Sequence, residues 1–273
     1  MNARQMRPSR VLAKLRGGEV ATCFKLNLAD ARAMEIAAMA GFDCLWPDME
    51  HVPNDLAVIE KGIWAAKSQN VDVMVRVARG SYSDYIRPLE MDAAGIMVPH
   101  VMSLTDAQAV VRMTRFHPIG RRPVDGGNAD GAYCGIDFVE YLKQANAQRF
   151  VVVQIEDPEP LAELDAIAAL PGIDMLFFGP GDFSHGIGAP GQWDHPRLRE
   201  ARRRVVDAAL AHGKFAGTVA SAANLDELIA LGYRFLSMGA DVVGLSQYCQ
   251  TIMAEFNKRP AIVSSSIYGG KTK

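Results

Sequence analysis

Phe150-Val151-Val152-Val153-Gln154-Ile155-Glu156 and, one repeat further on, Met175-Leu176-Phe177-Phe178-Gly179-Pro180-Gly181-Asp182 are apolar runs that each stop at a carboxylate. A continuous apolar run, in contrast to an alternating one, is the pattern of a strand buried on both faces, and such strands build parallel sheets covered by helices. The C-terminal end of such a strand is where α/β barrels and open α/β sheets place their chemistry. Six further runs have the same character. They are Val20-Ala21-Thr22-Cys23-Phe24, Cys44-Leu45-Trp46, Val71-Asp72-Val73-Met74-Val75-Arg76-Val77, Gly95-Ile96-Met97-Val98-Pro99, Phe215-Ala216-Gly217-Thr218-Val219-Ala220 and Phe235-Leu236-Ser237-Met238-Gly239.

Helical patterns rich in Ala and Leu separate most of these runs, at 28–39, 56–68, 104–114, 161–170, 196–212 and 225–231. Capping residues precede several of them (Asn54-Asp55, Ser103, Asn224), and glycine follows several (Gly41, Gly213, Gly232). Eight strands alternating with helices in 273 residues predict an α/β protein, a single (β/α)8 TIM barrel. A chain of about 250 residues suffices for one, and the regular repeat favours it over an open doubly wound sheet. The barrel domain is expected to span 1–263. Residues 264–273, with Ser264-Ser265-Ser266 and Gly269-Gly270-Lys271, read as a flexible tail. About fifty residues part the fourth and fifth strands, and the segment 115–136 within them, poor in apolar pattern, is expected as a functional loop at the C-terminal face.

A composition of 49% hydrophobic and 22% charged residues is that of an ordinary globular protein, and a net charge of −2 excludes the basic footprint of a nucleic-acid or anionic-membrane binder. Arg202-Arg203-Arg204 lies in a helical pattern and reads as a solvated face or a subunit contact. The four cysteines, Cys23, Cys44, Cys134 and Cys249, have no metal-type spacing and read as reduced thiols. No signal peptide and no apolar run of transmembrane length is present, so a cytoplasmic location is expected.

In such a barrel the residues after each strand meet in one mouth. These are Asp48-Met49-Glu50-His51-Val52-Pro53-Asn54-Asp55, Arg76, Pro99-His100, Gln154 and Glu156, Gly181-Asp182, Thr218 and Ser221, and Gly239 and Asp241. Either Glu156 or Asp182 alone would serve to cap the helix that follows. As a pair they point to oxygen ligands of a hard divalent cation, Mg²⁺ or Mn²⁺. That cation would accept two oxygens of a 2-oxo acid and stabilise an enolate as a Lewis acid. Arg76 would hold negative charge with its forked donors, and His51 would move a proton near neutral pH. Backbone N–H groups around Gly181-Asp182 would receive a carboxylate.

The motifs Glu50-His51-Val52-Pro53-Asn54-Asp55, Val153-Gln154-Ile155-Glu156 and Gly179-Pro180-Gly181-Asp182-Phe183-Ser184 resemble those of the HpcH/HpaI family of metal-dependent (class II) pyruvate aldolases. The similarity runs from about residue 15 to 256. It implies a barrel with an exchanged C-terminal helix, assembled as a hexamer of dimers. It further implies Glu156 and Asp182 as metal ligands, with Co²⁺ as a further metal, Arg76 at the enolate and Gln154 positioning pyruvate. His51, paired with Asp92, would be the base. Asp92 precedes the fourth strand, so a neighbouring subunit would have to supply it or its role would be structural. The stretch 77–84 is longer than is usual for the family and the loop 120–126 differs, which leaves the aldehyde open; Arg121, Arg122 and Asp125 are candidates to select a polar or anionic tail.

The activity so implied is reversible cleavage of a 4-hydroxy-2-oxo acid to pyruvate, or a close 2-oxo acid, and an aldehyde. A CoA-ester lyase of the malyl or citramalyl type is the alternative, with a non-catalytic metal- and 2-oxo-acid-binding barrel behind it. A phosphosugar barrel would want a glycine-rich phosphate site where Gly239-Ala240-Asp241 stands. Schiff-base chemistry would want a buried lysine, and Lys25 and Lys214 are poorly placed for it.

Overall fold

The computed structural model describes residues 4–28 and 30–258; the predicted tail at 264–273 lies outside them. The first half contains α1 (Arg10–Arg16), β1 (Ala21–Leu26), α2 (Ala31–Met39), β2 (Cys44–Pro47), α3 (Leu56–Ser68), β3 (Asp72–Arg76), α4 (Tyr82–Glu90), β4 (Gly95–Val98) and α5 (Leu104–Thr114). The second contains α6 (Phe138–Gln148), β5 (Phe150–Ile155), α7 (Leu164–Ala169), β6 (Met175–Phe178), α8 (Pro180–Gly186), α9 (Pro196–Ala211), β7 (Phe215–Ala220), α10 (Leu225–Leu231), β8 (Phe235–Ala240) and α11 (Asp241–Asn257). The eight strands close into a parallel barrel in sequence order, β8 pairing with β1. The fold is therefore the predicted (β/α)8 TIM barrel, with each strand end within two residues of its predicted place.

Every residue of β2 through β6 is buried, because alternate side chains fill the barrel interior and the layer beneath the helices. Val73, Val75, Val151, Val153 and Leu176 pack outward against the helices. Met74, Met97, Val152, Met175, Phe177 and Phe235 form the inner cluster, which Val11, Leu12 and Leu15 of α1 plug from below. Phe150 fits this interior because β4 begins with glycine: a Cβ on Gly95 would lie 2.3 Å from Phe150 Cε2.

The lower rim is a ring of acids, each neutralised within the chain. Asp43 takes Arg10 Nε and Lys14 Nζ at 2.9 Å. Asp72 takes Arg7 at 2.8 Å, the Ser9 hydroxyl at 2.7 Å and the Val11 N–H at 2.9 Å. Asp92 is paired with Arg149 and Lys67, and Asp174 with Arg115.

The segment 115–136 belongs to this lower rim, which corrects its expected place at the C-terminal face. It follows a helix and not a strand, so the chain has already returned to the bottom of the barrel. Arg115 donates to Gly172 and Arg149 carbonyls, and Arg122 is buried over the Phe116 ring with its ion pair to Asp130 at 2.9 Å. Arg121 and Asp125 are exposed there. Within the subunit, none of the three faces the mouth.

No residue of α11 is buried. Val243, Leu245, Tyr248 and Met253 are all exposed, and Asp241 ties the start of the helix to the backbone N–H groups of Asn27 (2.9 Å) and Leu28 (2.8 Å). Among the described residues no helix is long and apolar enough to cross a membrane.

The Gly95–Phe150 contact gives a stability test. Gly95→Ala forces a ring in a packed interior to shift and is expected to destabilise the fold by about 1–3 kcal/mol, read as a lower midpoint in urea denaturation with an unchanged slope.

Candidate active site

Asp48 follows β2 and is fully buried. Its Oδ1 accepts the Glu50 N–H at 3.0 Å and Arg76 Nε at 3.0 Å; its Oδ2 meets Arg76 Nη2 and, at 3.1 Å, Lys25 Nζ. Arg76, at the end of β3, is 4% exposed. Its guanidinium stands 5.0 Å from the centre of the Trp46 ring, and its Nη1 reaches Glu50 Oε2 at 3.0 Å. Lys25 approaches the same ring at 5.3 Å. Burial alone would raise Asp48, but the hydrogen bond and charge of Arg76 and the charge of Lys25 outweigh it and hold the carboxyl at about 2. The turn after β2 is thus anchored by a carboxylate that stays ionised.

The second half of the site is built on β4, β5 and β6. Gln154 and Glu156, two residues apart, share one face of the chain at the end of β5, and Gln154 Nε2 donates to Glu156 Oε2 at 2.6 Å. His100 adopts φ +47°. That conformation turns its backbone N–H onto Glu156 Oε1 at 2.9 Å, while ring Nδ1 lies 2.8 Å from Asp157 Oδ2. The ring faces Glu50 as well, with Nε2 3.6 Å from Oε1. Burial works against protonation of His100, yet Asp157, Glu156 and Glu50 together raise its pKa.

Gly179 is packed so closely that a Cβ there would lie 2.6 Å from Glu156 Oε2; only glycine lets β6 pass beneath the carboxylate. Burial first, with the charges of Asp182 and Glu50 beside it, pushes Glu156 up to about 7 although the His100 N–H and ring pull the other way.

The structure thus brings together Arg76, Gln154, Glu156 and Asp182. Asp182 is exposed and acts on Glu156 through its charge. His51 is on the rim, its ring 58% exposed and its Nε2 3.5 Å from Glu50 Oε2. Asp92 is not part of this group. It is buried before β4 with Arg149 and Lys67 on its two oxygens, at the end of the barrel away from the mouth, so the carboxylate beside His51 is Glu50.

Three contributors were not singled out from the sequence. Asp48 opens the same turn as His51, and His100 follows a strand; both positions carried a signal. Lys25 stands two residues after the inward-facing Cys23, which alternation alone would have aimed into the barrel. The structure corrects its placement: Lys25 lies in the mouth, as a charge partner of Asp48.

The depressed Asp48 contributes stability that is present above its ordinary 3.8 and is lost as pH falls through about 2. Asp48→Asn, which leaves Arg76 buried without its partner, is expected to cost about 3–5 kcal/mol near neutral pH. In urea denaturation the gap to the unaltered protein should narrow as the pH is lowered from about 5 toward 2; a gap of constant size would contradict the ion-pair account.

The HpcH/HpaI aldolase/citrate lyase family profile matches residues 22–247. A hydroxypyruvate/pyruvate aldolase of Pseudomonas aeruginosa is 34% identical over 96% of this chain and 98% of its own. A 2-keto-3-deoxy-L-rhamnonate aldolase of Klebsiella pneumoniae is 31% identical over 89% of this chain and 91% of its own. The crystal structure of an HpcH/HpaI aldolase from Desulfitobacterium hafniense superposes with a TM-score of 0.86 at 29% identity, covering 92% of this chain and 97% of that one. The chain is a carbon–carbon lyase and belongs to the HpcH/HpaI aldolase/citrate lyase family.

Proposed function

We propose that the protein is a divalent-metal-dependent aldolase that reversibly cleaves a 4-hydroxy-2-oxo acid to pyruvate, or a close 2-oxo acid, and an aldehyde. The observation that carries this reading is the buried Glu156, held by Gln154 and the His100 N–H while Asp182 and Glu50 crowd it with like charge. Such an excess of oxygen ligands in a dry mouth suits a hard cation. Among the described residues no three acidic, His or Cys side chains form a closed metal site. That is compatible with Mg²⁺, which takes one or two carboxylates and fills the remaining positions with water and substrate oxygens. Glu156 and Asp182 would hold the ion, Mg²⁺ or Mn²⁺ with Co²⁺ as a further option, and it would supply Lewis-acid polarisation of the 2-oxo acid.

The chain's own groups account for the rest. His51, on the rim beside Glu50, takes the proton of the 4-hydroxyl as the C3–C4 bond breaks. The electron pair of that bond passes to the 2-oxo acid fragment. Arg76, oriented by Asp48 and stacked on Trp46, faces the negative charge that develops there. Gln154 and the backbone of Gly181 and Asp182 position the 2-oxo acid. A CoA-ester lyase would need a groove for the nucleotide, and no site feature favours it.

The exposed apolar residues of α11 support exchange of this helix between two subunits, within a hexamer of three dimers. A helix with an apolar face is stable in water when that face is covered. Cytoplasmic location agrees with the free cysteines.

Pyruvate release from a panel of 4-hydroxy-2-oxo acids, with EDTA and with restored Mg²⁺ or Mn²⁺, tests the chemistry. Release should be lost in EDTA and fall about a hundredfold or more in Glu156→Ala; turnover indifferent to both would refute the metal site. In size-exclusion chromatography, Tyr248→Asp with Met253→Asp should convert an oligomer to smaller species, whereas an unchanged elution would argue against exchange of α11.

A further inference from the structure

Between the ends of β6 and β7, beside the mouth, lies a cavity of about 370 Å³ lined by Gly181, Trp193, Val219, Arg202, Ser221 and Asn224. Arg202 sets it apart. Arg203 and Arg204 of the same triplet are exposed on α9, whereas Arg202 is half-buried, which corrects its reading as part of a solvated face. Its Nε is sealed from solvent and has no hydrogen-bond partner. Among the described residues its guanidinium makes no ion pair, unlike Arg7, Arg76, Arg115, Arg122 and Arg149. A buried donor without an acceptor carries its full desolvation cost, and such groups are exceptional in folded proteins. An anion in the cavity would remove that cost.

The remaining walls suit a hydroxylated chain. Asn224 Oδ1 accepts the Ser221 N–H at 2.7 Å and the Ser221 hydroxyl at 3.2 Å. This fixes the amide and leaves its NH₂ with no hydrogen bond among the described residues. The Ser221 oxygen keeps its lone pairs free to accept. Trp193, 55% exposed, gives an apolar wall for C–H groups. Gly181 adjoins Asp182, whose charge acts on Glu156, so the cavity continues from the reacting centre. It lies on the far side from Arg76, Gln154 and His100, which serve the other fragment.

We propose that this cavity receives the far end of the aldehyde fragment, a short hydroxylated chain ending in a carboxylate, with Arg202 as the carboxylate's partner. The inference rests on the aldolase reading for what enters the cavity, but the recognition of an anion by Arg202 is testable apart from turnover. A guanidinium offers a carboxylate two parallel N–H donors, which a hydroxymethyl group cannot use equally.

Two aldehydes of equal length separate the alternatives: tartronate semialdehyde ends in a carboxylate, glyceraldehyde in a hydroxymethyl group. In aldol addition to pyruvate with metal present, Arg202→Gln should raise KM for tartronate semialdehyde by about tenfold or more. KM for glyceraldehyde and for pyruvate should stay within about twofold, and Arg202→Lys should fall between. Equal effects on both aldehydes, or none on either, would overturn the proposal. Calorimetry of glycerate binding to the metal-loaded protein at saturating pyruvate gives a readout free of catalysis. Binding about tenfold weaker in Arg202→Gln supports the cavity even if no aldehyde reacts, an outcome that would defeat the aldolase reading alone. Binding equal in the two proteins refutes the cavity.

Discussion

Closure of eight buried strands forces ionisable groups out of the middle of the barrel and onto its two rims. The interior is a layer of Met, Phe, Val and Cys, and an unpaired charge there would cost far more than one domain can spare. Everything charged that enters from the strands does so at their first or last residues. The two rims then differ in how their charges are matched. Below, Asp43, Asp72, Asp92 and Asp174 each meet a cation of the same chain. Above, Asp48, Glu50, Glu156, Asp157 and Asp182 share Arg76, Lys25 and His100. The lower rim is balanced and holds the barrel shut. The upper one retains an acid excess, and that imbalance is what a cation and an anionic transition state can act upon.

The same asymmetry explains which parts of the fold were legible in the sequence. A strand buried on both faces must be apolar throughout, so all eight strands were visible as runs, and their ends as the first charge or glycine. The place of 115–136 was misread because length alone was weighed. The helix at 104–114 had already carried the chain downward, and Arg115 and Arg122 look like a binding pair until burial shows them stacked and paired for structure. The exposure of α11 had no counterpart in the sequence, since an amphipathic helix reads alike whether it covers its own barrel or another.

For the site, residue type at a strand end identified Glu156, Asp182, Arg76 and Gln154. It could not identify what orients them. Asp48 and Asp92 are equally plausible carboxylates in one dimension; only three-dimensional pairing shows that Asp92 is consumed by Arg149 and Lys67 below while Asp48 anchors Arg76 above. His100 contributes first through its backbone, by a left-handed conformation that delivers an N–H to Glu156. A side-chain inventory does not contain that kind of information.

The pairing of charges also divides the mouth into two halves. On the β2–β5 side Arg76 is locked between Asp48, Glu50 and Trp46, so its geometry is set before any ligand arrives and little reorganisation is left for the reaction. On the β6–β7 side Arg202 is held by no acid of its own chain. A cation fixed in advance favours one charge distribution, that of the fragment common to every substrate of such an enzyme. A cation left unpaired gains most from a ligand that brings the missing charge, and therefore discriminates among the fragments that vary. Chemistry and selectivity would then reside in separate arginines, one already satisfied by the fold and one awaiting its partner.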